Sequence, residues 1–268
     1  MTMIAKNETA LVTGGTSGIG YAIAREFASR GYNLILVSNQ KERLKEVAEE
    51  FKAKYKTNTK TLFMDLAAAD AAVILYEWCQ SEMLEVDVLV NNAGIFYFGE
   101  VVETSVANAC NIISLHVSTP AKLCILFGKD MKQRRRGNII IISSLASYMP
   151  YPGIAFYAAT KRFLKSFSRS LRTEMIDYNV NVTCICPGAV STNLYDLSQE
   201  NHKKAIKAGI MMRPEKLAKK ILNAALAGKS LIIPGISNKI FLPFLFIIPH
   251  GIIGLIRRYT RFLPPDHP

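Results

Sequence analysis

The chain is poor in the features that mark secreted, metal-bound or nucleic-acid-binding proteins. Its five cysteines, Cys79, Cys110, Cys124, Cys184 and Cys186, show no paired metal-ligand spacing. No metal site and no disulfide framework are expected, and a reducing compartment follows. The opening MTMIAKNETALVTGG has no apolar stretch of signal-peptide length, so export is not expected and the reading is cytoplasmic. The net charge is +12, yet no basic stripe is interleaved with aromatics, and nucleic acid is excluded as a partner. Arg134-Arg135-Arg136 is the dense basic cluster of the main body, and it reads as a solvated loop before a strand. There is no repeat and no low-complexity linker before residue 235. The apolar run 240–256 is shorter than the roughly 20 residues a spanning helix needs, and Pro243 and Pro249 break it.

What is present is a globular composition, half hydrophobic and 20% charged, over 268 residues. Short apolar runs alternate with helical patterns. Strands are expected at 10–14, 33–38, 60–65, 86–94, 138–144, 180–186 and 230–234. Helices are expected at 18–30, 40–56, 68–81, 104–131, 155–178 and 215–227. Continuous apolar strands joined through helices imply a parallel sheet covered on both faces. The fold class is therefore α/β: one doubly wound parallel sheet of about seven strands over residues 1–235, with an apolar and basic extension at 236–268. In such sheets ligands bind at the carboxyl ends of the strands, which makes the residues just after each strand informative.

After the first strand comes TGGTSGIG, residues 13–20. Glycines there permit a tight turn, close approach of a pyrophosphate, and a helix whose N-terminus faces the phosphates. Further along, Tyr157 and Lys161 in IAFYAATKRF stand four apart, on one helical face. A phenol titrates near pH 10, and a neighbouring cation draws that value down. Two solvated side chains on any helix would give the same pattern, so this pair alone decides nothing.

In order, the chain carries Thr13-Gly14-xxx-Gly18-Ile19-Gly20, Asn91-Asn92-Ala93-Gly94, Ser144, Tyr157-xxx-Lys161 and Pro187-Gly188. Over about residues 8–235 it resembles the short-chain dehydrogenase/reductase family. The resemblance implies a Rossmann fold, a nicotinamide cofactor, a small carbonyl or alcohol substrate and a homo-oligomer. It makes Tyr157 the proton donor to the substrate oxygen and Ser144 a hydrogen-bond partner of that oxygen, with Ser143 as the neighbouring candidate. Lys161 would hold the nicotinamide ribose and lower the tyrosine pKa. Gly14, Thr16, Ser17, Gly18, Ile19 and Gly20 would bind the phosphates. Asp65 and Leu66 would meet the adenine, and Asn91, Ala93 and Gly94 would support the cofactor. Pro187, Gly188, Val190 and Thr192 would line the nicotinamide.

Which dinucleotide is used depends on the end of the second strand, LVSNQKERL. An acidic residue there would bind the ribose hydroxyls and repel a 2′-phosphate. Ser38 and Asn39 are not acidic, and Lys41 and Arg43 follow closely. NADP is favoured, with NAD as the alternative. One position departs from the family pattern. Where the family has an asparagine of its proton relay, counting back from Ser144 reaches His116. Histidine both donates and accepts hydrogen bonds, so His116 either joins the relay or merely packs. The run 240–261, flanked by Lys239, Arg257, Arg258 and Arg261, fits a peripheral membrane contact, a pocket lid or a subunit interface. The loop 194–212, with Leu194, Ile206, Ile210, Met211 and Met212, is expected to add apolar pocket wall, and a hydrophobic substrate follows.

Overall fold

The structure is a computed structural model that describes residues 8–149, 151–192, 194 and 198–247. The apolar runs form seven strands: β1 (Thr9–Thr13), β2 (Asn33–Ser38), β3 (Thr59–Phe63), β4 (Val88–Asn91), β5 (Gly137–Ile142), β6 (Val180–Ile185) and β7 (Leu231–Ile232). Between and after them run α1 (Gly18–Ser29), α2 (Lys41–Tyr55), α3 (Ala71–Ser81), α4 (Val106–Ile113), α5 (Thr119–Arg134), α6 (Ala155–Met175), α7 (Gln199–Lys207), α8 (Pro214–Leu226) and α9 (Ile236–Ile247). The strands make one sheet in the order β3-β2-β1-β4-β5-β6-β7. Every pairing is parallel, and Val12 of β1 sits opposite both Leu36 of β2 and Val90 of β4.

Side chains alternate along a strand, so each apolar run supplies both faces. Ala10, Val12, Leu34, Leu36, Val88 and Val90 point to one side, against Ile23 and Phe27 of α1, Phe51 of α2 and Ile221 of α8. Leu11, Ile35, Leu89, Ile139 and Ile141 point to the other, against Leu75 of α3, Leu123 and Phe127 of α5 and Leu164 of α6. The chain leaves β1 toward β2 on one side and returns to β4 on the other. The carboxyl ends of β1 and β4 therefore flank a crevice that no crossover fills.

Three segments differ from their expected form. The helical region expected at 104–131 is not one regular helix. A π turn, Ser114–Ser118, separates α4 from α5, and the extra residue in that turn re-aims His116 inward. Together Val106–Arg134 is long and apolar enough by composition to cross a bilayer, but Leu123, Phe127 and Met131 pack it on the sheet. The loop expected at 194–212 contains a helix, α7, because Ser198 caps it by accepting the Asn201 amide and Glu200 pairs with Lys204 at 2.7 Å. The arginine cluster is not simply a solvated loop. Arg136 pairs with Glu85 at 2.6 Å and with Asp87 at 3.1 Å, and Arg134 bonds the Val86 carbonyl, which pins the entrance to β4. In the extension, Leu242 of α9 packs near Tyr148 and Cys186. Residues 248–268 lie outside the described residues, and with them most of the segment 240–261.

Candidate active site

A cleft of about 690 Å³ opens where the carboxyl ends of the strands meet the crevice. It is lined by every site residue expected from the sequence except Asn91. Asn91 is the last residue of β4 and is buried, its side-chain N–H₂ directed at the Cys124 sulfur 3.3 Å away on α5. Its neighbour Asn92, just past the strand, faces the cleft instead. Asn92 donates to the Thr13 carbonyl at 2.9 Å and the Gly14 carbonyl at 3.3 Å, tying the β4 exit to the glycine turn. Lys41 does not line the cleft.

The glycine turn is closed tightly. A Cβ on Gly20 would stand 2.0 Å from the Gly14 carbonyl oxygen and 2.4 Å from the Asn92 side chain, so no side chain fits there. The first turn of α1 has no acidic residue, and the Ser17 side chain makes no capping bond to it. Its amides are thus left for an external anion. Thr192 packs on the same turn, within 3.3 Å of where a Gly18 Cβ would lie. At the end of β2, Thr16, Ser38 and Gln40 form a closed ring. Gln40 N–H donates to Ser38 Oγ at 3.2 Å, the Ser38 hydroxyl is 2.8 Å from Thr16, and Thr16 donates to Gln40 Oε1 at 3.0 Å. No carboxylate stands in that ring. Arg43 lines the same end of the cleft, paired to Glu46 at 2.7 Å with its guanidinium 5.8 Å from the Tyr21 ring centroid. The Asp65 carboxylate accepts the Ala67 amide at 2.9 Å and so fixes its own turn. Anion-ready amides, a neutral ribose end and a long cleft fit a dinucleotide.

At the other end the strand β5 delivers two serines of opposite fate. Ser143 donates to the Lys161 carbonyl at 2.7 Å and is buried. Ser144 accepts the Ala146 amide at 3.1 Å as the cap of a short helical turn, which leaves its hydroxyl proton to point at a ligand. Of the two candidates, Ser144 is the one able to donate into the cleft. Lys161 of α6 is buried, and its ammonium donates to the Ile142 carbonyl at 3.1 Å. Burial pushes its pKa down to about 8. The ammonium lies 5.6 Å from the Tyr157 ring centroid. Tyr157 is held edge-on by Phe96, with centroids 5.0 Å apart, and by His116 at 5.8 Å. Gly94 separates His116 from Lys161, and a Cβ there would come within 2.8 Å of the imidazole.

His116 is fully buried, and both ring nitrogens are occupied by Ile95 and Thr160. Gln40 and Thr160 carry no motif, Asn92 lies within the Asn91–Gly94 motif, and none of the three was among the expected site residues. Thr160 sits between Tyr157 and Lys161, where attention to the pair hides it. Of the loop expected to wall the pocket, Leu194 lines the cleft, while Ile210 is exposed and Met212 packs on the α1 and α8 side of the sheet.

The family model for short chain dehydrogenase matches residues 8–203. The chain belongs to the short-chain dehydrogenase/reductase family. It is 34% identical over 193 residues to the very-long-chain 3-oxoacyl-CoA reductase of Homo sapiens, covering 70% of this chain and 61% of that protein. The match thus spans about three fifths of the length of such reductases. It is 30% identical to the 3-oxoacyl-(acyl-carrier-protein) reductase FabG of Chlamydia trachomatis, over 84% of this chain and 93% of that one. Among solved structures it is similar to L-sorbose reductase from Gluconobacter frateurii, complexed with NADPH and L-sorbose. That match has a TM-score of 0.79 and 27% identity, over 88% of this chain and 97% of that one.

Proposed function

We propose that the protein is an NADP(H)-dependent oxidoreductase that interconverts a carbonyl and an alcohol on an apolar, lipid-like substrate. The observation that carries this reading is the convergence of Ser144, Tyr157 and Lys161 at one end of a dinucleotide-sized cleft. The dinucleotide, when bound, supplies the two-electron chemistry. The chain's own residues handle the oxygen and its proton. Ser144 donates a hydrogen bond to the substrate oxygen and orients the carbonyl. Tyr157 delivers its phenolic proton to that oxygen in reduction and takes it back in oxidation. The Lys161 ammonium stabilises the tyrosinate left behind. Ile95, Leu115, Ile142 and Leu194 make the walls around this end apolar, which excludes water and suits an acyl chain. The named relatives that act on 3-oxoacyl thioesters support the same substrate class. The unit doing this work is 1–235, with 236–268 as an extension.

NADP is preferred over NAD because nothing acidic stands at the end of β2, where the ring of Thr16, Ser38 and Gln40 is neutral and Arg43 is within the cleft. The test is turnover of NADPH and NADH with a panel of medium- and long-chain ketones and 3-oxoacyl thioesters. The expected result is reduction with NADPH, and an Arg43→Ala change that weakens NADPH about tenfold while leaving NADH unaffected, as loss of one phosphate contact of about 1.4 kcal/mol would. Equal or tighter binding of NADH overturns the cofactor assignment. Cofactor binding with no turnover on any carbonyl favours the rival reading, a catalytically inactive dinucleotide-binding sensor.

Two partner assignments accompany this reading. Val106, Cys110 and Ile113 form an exposed stripe along α4, and Phe163 stacks on Phe167 along α6 with ring centroids 5.6 Å apart. A second copy of the chain would cover these faces, and light scattering should give a mass above that of one chain. The segment 240–261, apolar with flanking bases, fits a pocket lid or subunit contact slightly better than the surface of an anionic membrane, and the membrane contact has a direct test. Full-length protein should sediment with phosphatidylserine vesicles and a 1–238 truncation should not; equal sedimentation removes the membrane contact.

A further inference from the structure

The sequence leaves His116 open between proton relay and packing, and its surroundings decide between them. The π turn carries the imidazole behind Gly94, with no solvent exposure. Nε2 accepts the Ile95 backbone N–H at 3.0 Å, so that nitrogen holds no proton. Nδ1 lies 3.0 Å from Thr160 Oγ1. The single hydroxyl proton of Thr160 is directed at the Tyr157 carbonyl, 2.9 Å away. Nδ1 is therefore the donor and Thr160 the acceptor. Only one tautomer satisfies both contacts, with the proton on Nδ1.

We infer that His116 is a positioning residue locked in this one neutral tautomer, a clasp that joins the Gly94–Ile95 wall, the π turn and the backbone of Tyr157, and that it carries no proton in the reaction. The inference rests on the oxidoreductase reading for its kinetic part and on geometry alone for the rest. A second ring proton would set an N–H against the Ile95 N–H. It would also place a buried cation beside the Lys161 ammonium. Desolvation and that cation hold the imidazole pKa well below the ordinary value. Among the described residues, the titratable groups facing the ring are Tyr157 and Lys161, both on α6. No carboxylate is among them to favour the charged form.

The test compares His116→Gln, whose side-chain oxygen sits near the place of Nε2, with His116→Ala. The clasp expects the glutamine variant to keep kcat within about threefold, with an unchanged pH profile. It expects the alanine variant to lose at least tenfold in kcat, with the KM for NADPH within about twofold. Equal loss in both variants, or disappearance of an acidic limb of the profile in the glutamine variant, overturns it. Nitrogen-15 spectra of the wild-type imidazole supply a readout independent of turnover and of variant folding. A protonated Nδ1 and bare Nε2, constant from pH 5 to pH 8, support the clasp, and titration in that range overturns it. If the spectra hold but no carbonyl is reduced, it is the oxidoreductase reading that fails.

Discussion

Replacing Tyr157 by phenylalanine should lower kcat by about 10³-fold, within the range that general acid–base catalysis contributes. The change removes one oxygen and nothing else. The ring keeps its edge contacts with Phe96 and His116, at centroid separations of 5.0 and 5.8 Å, so the site should keep its shape. The glycine turn, the ring at the end of β2 and the Thr192 wall are untouched, so the affinity for NADPH should change less than about twofold. A fluorescence titration of NADPH, run beside steady-state kinetics, separates the two effects. The pattern of intact binding and lost turnover identifies an interaction made in the transition state and not in the ground state. Residual activity within tenfold of wild type would mean that another group delivers the proton. Ser144 would then be the first to test, because its hydroxyl lines the same end of the cleft and its oxygen already accepts the Ala146 amide.

The strands and the glycine turn were legible because their signals are local. Asn138-Ile139-Ile140-Ile141-Ile142 has no polar residue after its first position, and only a strand covered on both faces tolerates that. Gly20 is fixed by a backbone approach that any side chain would block, so it shows as a glycine in the string. What stayed hidden depends on contacts between distant segments. Both Ser143 and Ser144 line the cleft, and strand parity turns the Ser143 hydroxyl to the Lys161 carbonyl on α6. The same parity sends Asn91 to Cys124 and Asn92 to the glycine turn. The π turn at Ser114–Ser118 leaves little trace in apolar spacing, since one added residue shifts a helical face by less than a third of a turn. Gln40 and Thr160 matter through partners 24 and 44 residues away, and no spacing rule reaches that far.

Lys161→Met should cost about 10²-fold in kcat and yet leave the cofactor-free protein as stable as before, or more so, at neutral pH. The two halves have one cause. The ammonium is buried with one acceptor among the described residues, the Ile142 carbonyl at 3.1 Å, and burial depresses its pKa from 10.5 to about 8. Holding it cationic in that environment costs on the order of 3 kcal/mol. Methionine fills similar volume without the charge and forfeits one hydrogen bond, about 1 to 3 kcal/mol with the carbonyl left bare. The sign of the pH dependence follows. Below about pH 8 the lysine is cationic in both folded and unfolded chains, and the folded state bears the whole cost. Between about 8 and 10.5 the folded protein sheds the proton while the unfolded chain keeps it, so stability from this group rises with pH. The advantage of the methionine variant in melting temperature should therefore shrink across that window. A variant markedly less stable at pH 7, with a gap that does not change up to pH 10, would show that the ammonium is a structural tie. Preserved activity in the same variant would show that the tyrosinate needs no cation beside it. On the proposed mechanism the charge weakens the fold and serves the reaction, and these measurements test both effects at one residue.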